Sequence, residues 1–416
     1  MKKKLKCIVF VEFLLAIVLC FSPKAYSAAD CSGRVFVLAC DNNYGGPTAV
    51  AIQSLKESNS SEKRVVVFAY RVDQETVQKL EGLGDKTTSI HVVDLLDARW
   101  RTMPTFDGRE IDLIDSARAI GEGRWGDAVF QNLQCGGDLY KFMINLRFFL
   151  PEIFASGLLP KDLQGIESFV WLDSDLIVHK DVSDLWEIGG SHPGQRMFGA
   201  NLCQDPSNPN GCQVEYFDGI GGRCLISGGV VLWHIRSIIE DCRLIRQNVF
   251  LDTIIHMRTR LGGSLSSLYF DGELFRFDGE ELVFTVYSFY TLRSNSPGAS
   301  ICVLPVAYNV SNAALLSPFV SRPNDIWIFH WDSMEKPWKV SDSSRRDMLS
   351  FCSSYSEDPG RKIPEERMVK LEEFAPSLFS SNMIEIPSAQ FAMLSLFLQQ
   401  IISWKEIADR TGFYSN

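Results

Sequence analysis

The 416-residue chain has no excess of positive charge: 41 Lys and Arg stand against 51 Asp and Glu, for a formal net charge of −10 and a pI near 5.2. A nucleic-acid binder would show a basic face, so the balance argues against that class. No cysteines have the CxxC-type spacing of a structural zinc site. No Lys/Thr-bearing motif of the haloacid type accompanies an aspartate pair, which removes that kind of phosphohydrolase. No internal repeat is visible beyond a near echo of Phe270–Leu274 in Phe277–Leu282. Long apolar runs are also scarce. The run Cys7–Phe21 is broken by Glu12 and falls short of the ~20 residues that span a bilayer. What remains is ordinary globular composition, 46% hydrophobic and 22% charged. The length suits one large α/β domain with additions, or two domains.

Residues 1–29 have the layout of a signal peptide. Basic Lys2-Lys3-Lys4-Leu5-Lys6 leads into the apolar run, and Pro23, Ala25, Ser27, Ala28 and Ala29 follow. The reading is export; its alternative is a membrane anchor formed by residues 7–21. Nine of the 11 cysteines lie beyond this segment, and export would expose them to oxidising conditions that favour pairing. Cys203, Cys212 and Cys224 share a Gly/Pro/Asn-rich loop suited to a local bridge, whereas Cys40 and Cys302 sit in apolar runs, as buried thiols do. Asn59-Ser60-Ser61 and Asn309-Val310-Ser311 fit the glycosylation sequon, a triplet that often arises by chance.

Along the chain, apolar runs at 34–40, 65–70 and 90–95 alternate with helical spacing at 47–57 and 74–83. That alternation predicts a parallel sheet covered by helices. Ligands of such sheets bind beyond the carboxyl ends of strands, where Asp41–Gly46 would sit. Residues 97–137 and 203–222 are turn-rich and read as insertions. Leu139–Phe154 has helical spacing up to Pro151. Further strands are expected at 169–172, 225–235, 304–309 and 326–330. Ala389–Ile402 reads as a helix docked on the body; lying on a membrane surface is the lesser alternative, because it lacks a basic face.

The strongest chemical signal is Trp171-Leu172-Asp173-Ser174-Asp175-Leu176-Ile177-Val178. Two carboxylates two residues apart at a strand end lie on one side and can share a hard cation, Mg²⁺ or Mn²⁺. Alone, the pattern is no more specific than a solvated turn.

Its context resembles glycosyltransferase family 8. The resemblance is carried by Ala39-Cys40-Asp41-Asn42-Asn43-Tyr44, by Asn145–Glu152, by Val170–Trp186, and by His330-Trp331-Asp332-Ser333-Met334-Glu335-Lys336-Pro337-Trp338, in the family's order over about residues 34–340. It implies a GT-A, Rossmann-like α/β fold with a largely parallel central sheet, helices on both faces and a helical C-terminal extension. The expected domains are a leader at 1–29, a GT-A domain at 30–340 and the extension at 341–416. The resemblance also implies a retaining transfer of a hexose, glucose or galactose first, from a UDP-sugar to an acceptor hydroxyl with Mn²⁺ or Mg²⁺. The acceptor would be a glycan, a lipid-linked acceptor or a protein, with room for a peripheral membrane contact and no nucleic-acid partner. Position by position, Asp173, Asp175 and His330 become metal ligands, and Lys336 a contact to the diphosphate. Asp41, Asn43 and Tyr44 would hold the uridine, and Arg147 would reach the donor sugar or its phosphate.

Three departures stand out. Ser227, in Ile226-Ser227-Gly228-Gly229, replaces an Asn of the family pattern that contacts the donor, and Ser333 replaces a Gly. The family's Asp-Gln-Asp segment has no clean counterpart; Asp278 and Glu280 are the first candidates for its catalytic role, ahead of Asp271-Gly272-Glu273. A UDP-sugar-binding protein with impaired catalysis is therefore the alternative reading.

Overall fold

The structure is a computed structural model. It describes residues 34–59, 61–121, 143, 145–191, 195–201, 226–261, 268–270, 273–275, 283–284, 287, 302–310, 323–331, 336–341, 343–344, 346–348, 350 and 388–414. The leader, residues 203–224 with their three cysteines, and both Asp278 and Glu280 lie outside these residues.

The frame is a seven-stranded sheet. In chain order its strands are β1 (Val35–Cys40), β2 (Lys63–Ala69), β3 (Thr88–Asp94), β4 (Phe169–Leu172), β6 (Met197–Asn201), β7 (Ile226–Trp233) and β8 (Cys302–Leu304). Two short strands, β5 (Leu176–Val178) and β9 (Ile328–His330), pair with each other beside it. The spatial order is β8-β6-β7-β4-β1-β2-β3. Only β7 runs against the rest, pairing antiparallel with β4 and β6. The sheet is thus largely parallel, with β-branched and aromatic residues buried on both faces, as crossover topology demands.

Strand alternation sorts the core into two layers. Val35, Val37, Phe169, Trp171, Val231 and Trp233 face one layer, filled from the helix side by Leu150, Ile153, Ile235, Ile238 and Phe250. Phe36, Leu38, Val170, Leu172, Val230 and Leu232 face the other, met by Ala49, Ile52, Leu55, Leu80 and Leu185. The helices on that second side are α1 (Gly45–Ser58), α2 (Gln74–Gly82) and α5 (Asp184–Gly190); on the first lie α3 (Leu113–Gly121), α4 (Leu150–Ala155), α6 (Ile235–Ile245) and α7 (Val249–Leu261). Full burial of each large apolar side chain contributes roughly 1.5–3 kcal/mol, so both layers are needed to hold the sheet flat against its helices. Helix α2 starts where the spacing predicts, because the Asp73 carboxylate accepts from the Thr76 amide at 2.7 Å.

Three segments differ from expectation. The stretch from 97, read as a loose insertion, contains a 3₁₀ turn (Ala98–Thr102), a small hairpin and α3. Buried Trp100, Met103, Leu113 and Ala117 anchor it, and the Trp100 indole donates to the Asp94 carbonyl at 3.0 Å. The helix expected across 139–154 breaks at Arg147–Phe149 into a 3₁₀ turn before α4, whose first turn holds Pro151. The strand expected at 304–309 stops at Leu304, ahead of Pro305 and the 3₁₀ turn Val306–Tyr308.

Helix α8 (Ser388–Thr411) docks on the body, as the apolar pattern predicts. Leu394, Phe397, Leu398, Ile401 and Trp404 are buried, Phe397 against Phe329 with ring centroids 6.4 Å apart. Arg410 forms a two-pronged pair with Glu57 of α1. The apolar face is therefore spent on the protein itself. Among the described residues, no helix is long and apolar enough to cross a membrane. Cys40 and Cys242 are buried free thiols; burial pushes Cys40 up to about 12. Both sequon asparagines are buried: Asn59 bonds to Ser183 and Ser61, and Asn309 to Ser227. In the folded chain neither amide is presented for glycosylation.

Candidate metal centre

The chain runs from β1 outward through β2 to β3, then returns to place β4 on the other side of β1. The carboxyl ends of β1 and β4 therefore flank the point where strand order reverses, the place where open α/β sheets bind ligands. Asp41 follows β1 there, and Asp173 and Asp175 follow β4.

Backbone contacts fix the acidic loop from several directions. The Asp173 amide donates to the Gly229 carbonyl of β7 at 2.9 Å, and the Trp331 amide donates to the Asp175 carbonyl at 3.0 Å. Between the two, the Ser174 hydroxyl donates to the Ala39 carbonyl at 2.7 Å and accepts from buried Thr48 at 2.9 Å. The third partner arrives through a ladder. β9 pairs antiparallel with β5, setting His330 opposite Leu176, the residue after Asp175. A position 155 residues distant in sequence is thereby delivered to the acidic pair.

The side chains converge. His330 Nε2 lies 3.2 Å from Asp175 Oδ1 and 3.6 Å from Asp173 Oδ2. One ligand atom from each of the three residues falls within 4.8 Å of the others. The ring rests on bare backbone: a Cβ added at Gly229 would meet His330 Cε1 and Nδ1 at 2.4 Å each. The remaining oxygens are held by cations and an indole. Trp171 Nε1 donates to Asp173 Oδ1 at 2.8 Å, and Arg147, its guanidinium 4.7 Å from the Trp171 ring centroid, donates to the same oxygen. Arg147 also donates to the Gly228 carbonyl at 3.0 Å. Lys336 Nζ bonds to Asp175 Oδ2 at 2.5 Å and to the Trp331 carbonyl at 2.5 Å. Burial acts to raise the Asp175 carboxyl, but His330 and Lys336 outweigh it and hold the group well below the usual carboxylate range. Two carboxylate oxygens and an imidazole nitrogen on one point form a donor set that suits Mn²⁺ or Mg²⁺.

Tyr44 closes one side. Its amide donates to Asp41 Oδ1 at 2.9 Å, which fixes the turn into α1. Burial, aided by the charges of Asp175, Asp41 and Asp173, pushes its phenol up to about 12. Its ring meets Trp338 edge-on at 5.7 Å.

Residues 35–192 match the family model described as glycosyl transferase family 8. The matched segment is similar to that family and contains Asp41, Asn43, Tyr44, Arg147, Asp173 and Asp175, while His330 and Lys336 lie beyond the matched residues and reach the site through the fold. In backbone the chain is similar to the WbbM bifunctional glycosyltransferase, at 13% identity and a TM-score of 0.46, covering 76% of this chain and 48% of that one. It is also similar to the galactosyltransferase LgtC solved with donor and acceptor sugar analogues, at 14% identity and a TM-score of 0.44, covering 81% and 99%. A third likeness is to mouse xyloside xylosyltransferase 1, at 13% identity and a TM-score of 0.44, covering 72% and 98%. The chain spans about half the length of the WbbM chain. A search of curated proteins returns no match.

Among the other residues singled out from sequence, Asp41 is buried beside the centre, Asn43 is exposed on the turn, and Asp278 and Glu280 lie outside the described residues. Ser227 is buried, and its hydroxyl accepts from Asn309 at 2.7 Å. Arg147 pairs with Asp173, so in this state it braces a carboxylate of the centre. Trp171, Gly229, Ser174 and Thr48 were not singled out. Signals for two of them exist: Trp171 shares a strand face with Asp173 by alternation, and Gly228-Gly229 inside an apolar strand marks a close approach.

Proposed function

We propose that this chain transfers a sugar from a UDP-sugar to an acceptor hydroxyl with the help of a divalent cation. The reading is supported by the convergence of Asp173 Oδ2, Asp175 Oδ1 and His330 Nε2 at the strand-order reversal of a segment similar to family 8. These three atoms hold the cation. Bound there, a divalent ion offsets the negative charge that builds on the departing diphosphate.

The chain's own groups do the rest. Lys336 stands against the cluster and offers a point charge to the diphosphate. Tyr44 presents its ring to the base, with Asp41 fixing the turn that carries it and Asn43 on the exposed side. Arg147 and Trp171 hold the Asp173 carboxylate in register. The bond between the sugar carbon and the diphosphate oxygen breaks, the acceptor oxygen bonds to the same face, and its proton leaves with UDP. That sequence retains configuration. Asp278 or Glu280 is assigned to the carboxylate beside the reacting carbon, and a hexose, glucose or galactose, to the donor. Export through residues 1–29 would require a lumen into which nucleotide sugars are imported, or delivery of the enzyme into another cell.

The experiment is hydrolysis of a panel of UDP-sugars, with and without Mn²⁺, by the chain and by Asp173→Asn. Turnover that needs Mn²⁺ and disappears in the variant is expected. Equal turnover in the variant sinks the metal reading. Mn²⁺-dependent UDP binding with no hydrolysis or transfer from any donor replaces the enzyme by a UDP-sugar-binding protein.

A further inference from the structure

The residues after α8 turn back over the start of α1, next to the candidate centre. Phe413 lies under Lys79, whose Nζ is 5.5 Å from the ring centroid, and 3.8 Å from where a Cβ at Gly45 would stand. Tyr414 sits over Gly46: a Cβ there would come within 2.3 Å of its hydroxyl oxygen. Gly45 and Gly46 are the residues that follow Tyr44, and only side chains this small let the tail come so close.

From Tyr414 an unbroken series of rings leads into the site. Tyr414 meets Trp404 edge-on at 5.2 Å, Trp404 meets Trp338 at 5.7 Å, and Trp338 meets Tyr44 edge-on at 5.7 Å. Trp404 is buried, while Tyr414 is 39% exposed and stands at the rim. The helix that carries the series is fixed to the body at two further places, Arg410 on Glu57 and Gln400 on His179 at the end of β5. Trp404 belongs to the docked face of α8, but the ring series continues beyond that face: it passes the start of α1 and stops at the ring assigned to the base.

We propose that Trp404 and Tyr414 are positioning residues of the nucleotide pocket, holding Tyr44 in place through Trp338. The segment that follows the glycosyltransferase body thus sets affinity for the nucleotide and leaves the chemical step alone. This rests on the UDP-donor reading above. Rings packed edge-on at both ends of the series, and tilted at 40° between Trp404 and Trp338, constrain one another beyond simple burial. With one ring removed, Tyr44 gains rotamers that the incoming base must then freeze out, a cost that falls on binding.

The test uses the full chain with MnCl₂, titrated with UDP by calorimetry, alongside KM and kcat for UDP-sugar hydrolysis and a thermal midpoint. Variants are Tyr414→Ala, Tyr414→Phe, Trp404→Ala and Trp404→Phe. Tyr414→Ala should weaken UDP binding about three- to tenfold, the range one such ring contact supports, and raise the donor KM equally. Its kcat and thermal midpoint should match those of the unaltered chain, and Tyr414→Phe should restore affinity. Trp404→Ala should weaken UDP at least as much, with Trp404→Phe recovering most of it. Unchanged UDP affinity in Tyr414→Ala, or a fall in kcat at constant KM, overturns the inference while leaving the proposed function standing. An unaltered chain that does not bind UDP with Mn²⁺ removes both.

Discussion

Gly229→Ala is the sharpest probe of the site, because a single methyl group separates two accounts of His330. The added carbon would stand 2.4 Å from both Cε1 and Nδ1 of the ring, whereas ordinary contact begins at 3.4 Å. The difference, 3.4 − 2.4, obliges the ring to retreat by about 1 Å or β7 to shift by as much. The imidazole has little room to do so. It is nearly buried, its residue is held in the ladder with β5, and its amide donates to the Val310 carbonyl at 3.0 Å. Overpacking of this kind costs about 1–3 kcal/mol, offset in part by the ~0.5–1 kcal/mol gained when a strand glycine becomes alanine. Stability should therefore fall by only about 1 kcal/mol. Metal affinity should fall by somewhat more, because ligand distances tolerate only about 0.2 Å; a loss of about 10–100-fold is expected. Calorimetric titration with MnCl₂ reads the affinity, and chemical denaturation the stability. Gly190→Ala, where an added Cβ meets nothing within 4 Å, serves as control and should leave both alone. Gly229→Ala binding Mn²⁺ as tightly as the control refutes the claim that His330 is a ligand.

Two further perturbations test other links. Ser174→Ala removes the hydroxyl between Thr48 and the Ala39 carbonyl, leaving a buried Thr48 without its acceptor, at a cost of about 1–3 kcal/mol. Thr48→Val on that background should add little, and fully additive losses in urea unfolding would show that the two hydroxyls do not act as a unit. Glu152→Gln tests a buried acid: burial, opposed by the amide of Asn248, pushes Glu152 up to about 8. Between its ordinary value of 4.5 and about 8 the unfolded chain releases this proton and the folded chain keeps it. This residue therefore lowers stability as pH rises through that window and has no effect below it. The glutamine variant should be the more stable at pH 7.5, by about 4 kcal/mol, and nearly equal at pH 4; parallel stability-versus-pH curves would contradict this.

Much of the frame could be read in advance because it follows local rules. Apolar runs of strand length at 34–40, 65–70 and 169–172, alternating with helical spacing, are enough to specify a parallel sheet, and that sheet was found. Elements whose boundaries depend on tertiary packing were not readable. The 3₁₀ turn at Arg147–Phe149 interrupts good helical spacing so that Arg147 can turn toward Asp173 and Gly228. The segment from 97 looks like a loop because its four buried anchors are scattered among polar residues. At the centre, the Asp173/Asp175 pair announces itself by alternation at a strand end. His330 does not: nothing in its neighbourhood indicates the antiparallel ladder to β5, and it was singled out only through the family resemblance. The ring series from Tyr44 to Tyr414 had no sequence signal either, since its members come from three distant places in the chain.

The ladder between β5 and β9 has a consequence for how the molecule is made. Both aspartates belong to the first half of the chain, yet their imidazole partner is synthesised some 155 residues later. A nascent chain that has emerged only as far as residue 192 has the acidic loop without the third member of the candidate centre. Contacts so distant in sequence are among the slowest to form. Capture of Mn²⁺ during refolding should therefore mark the closing event of assembly, and make the ion a reporter of completed folding.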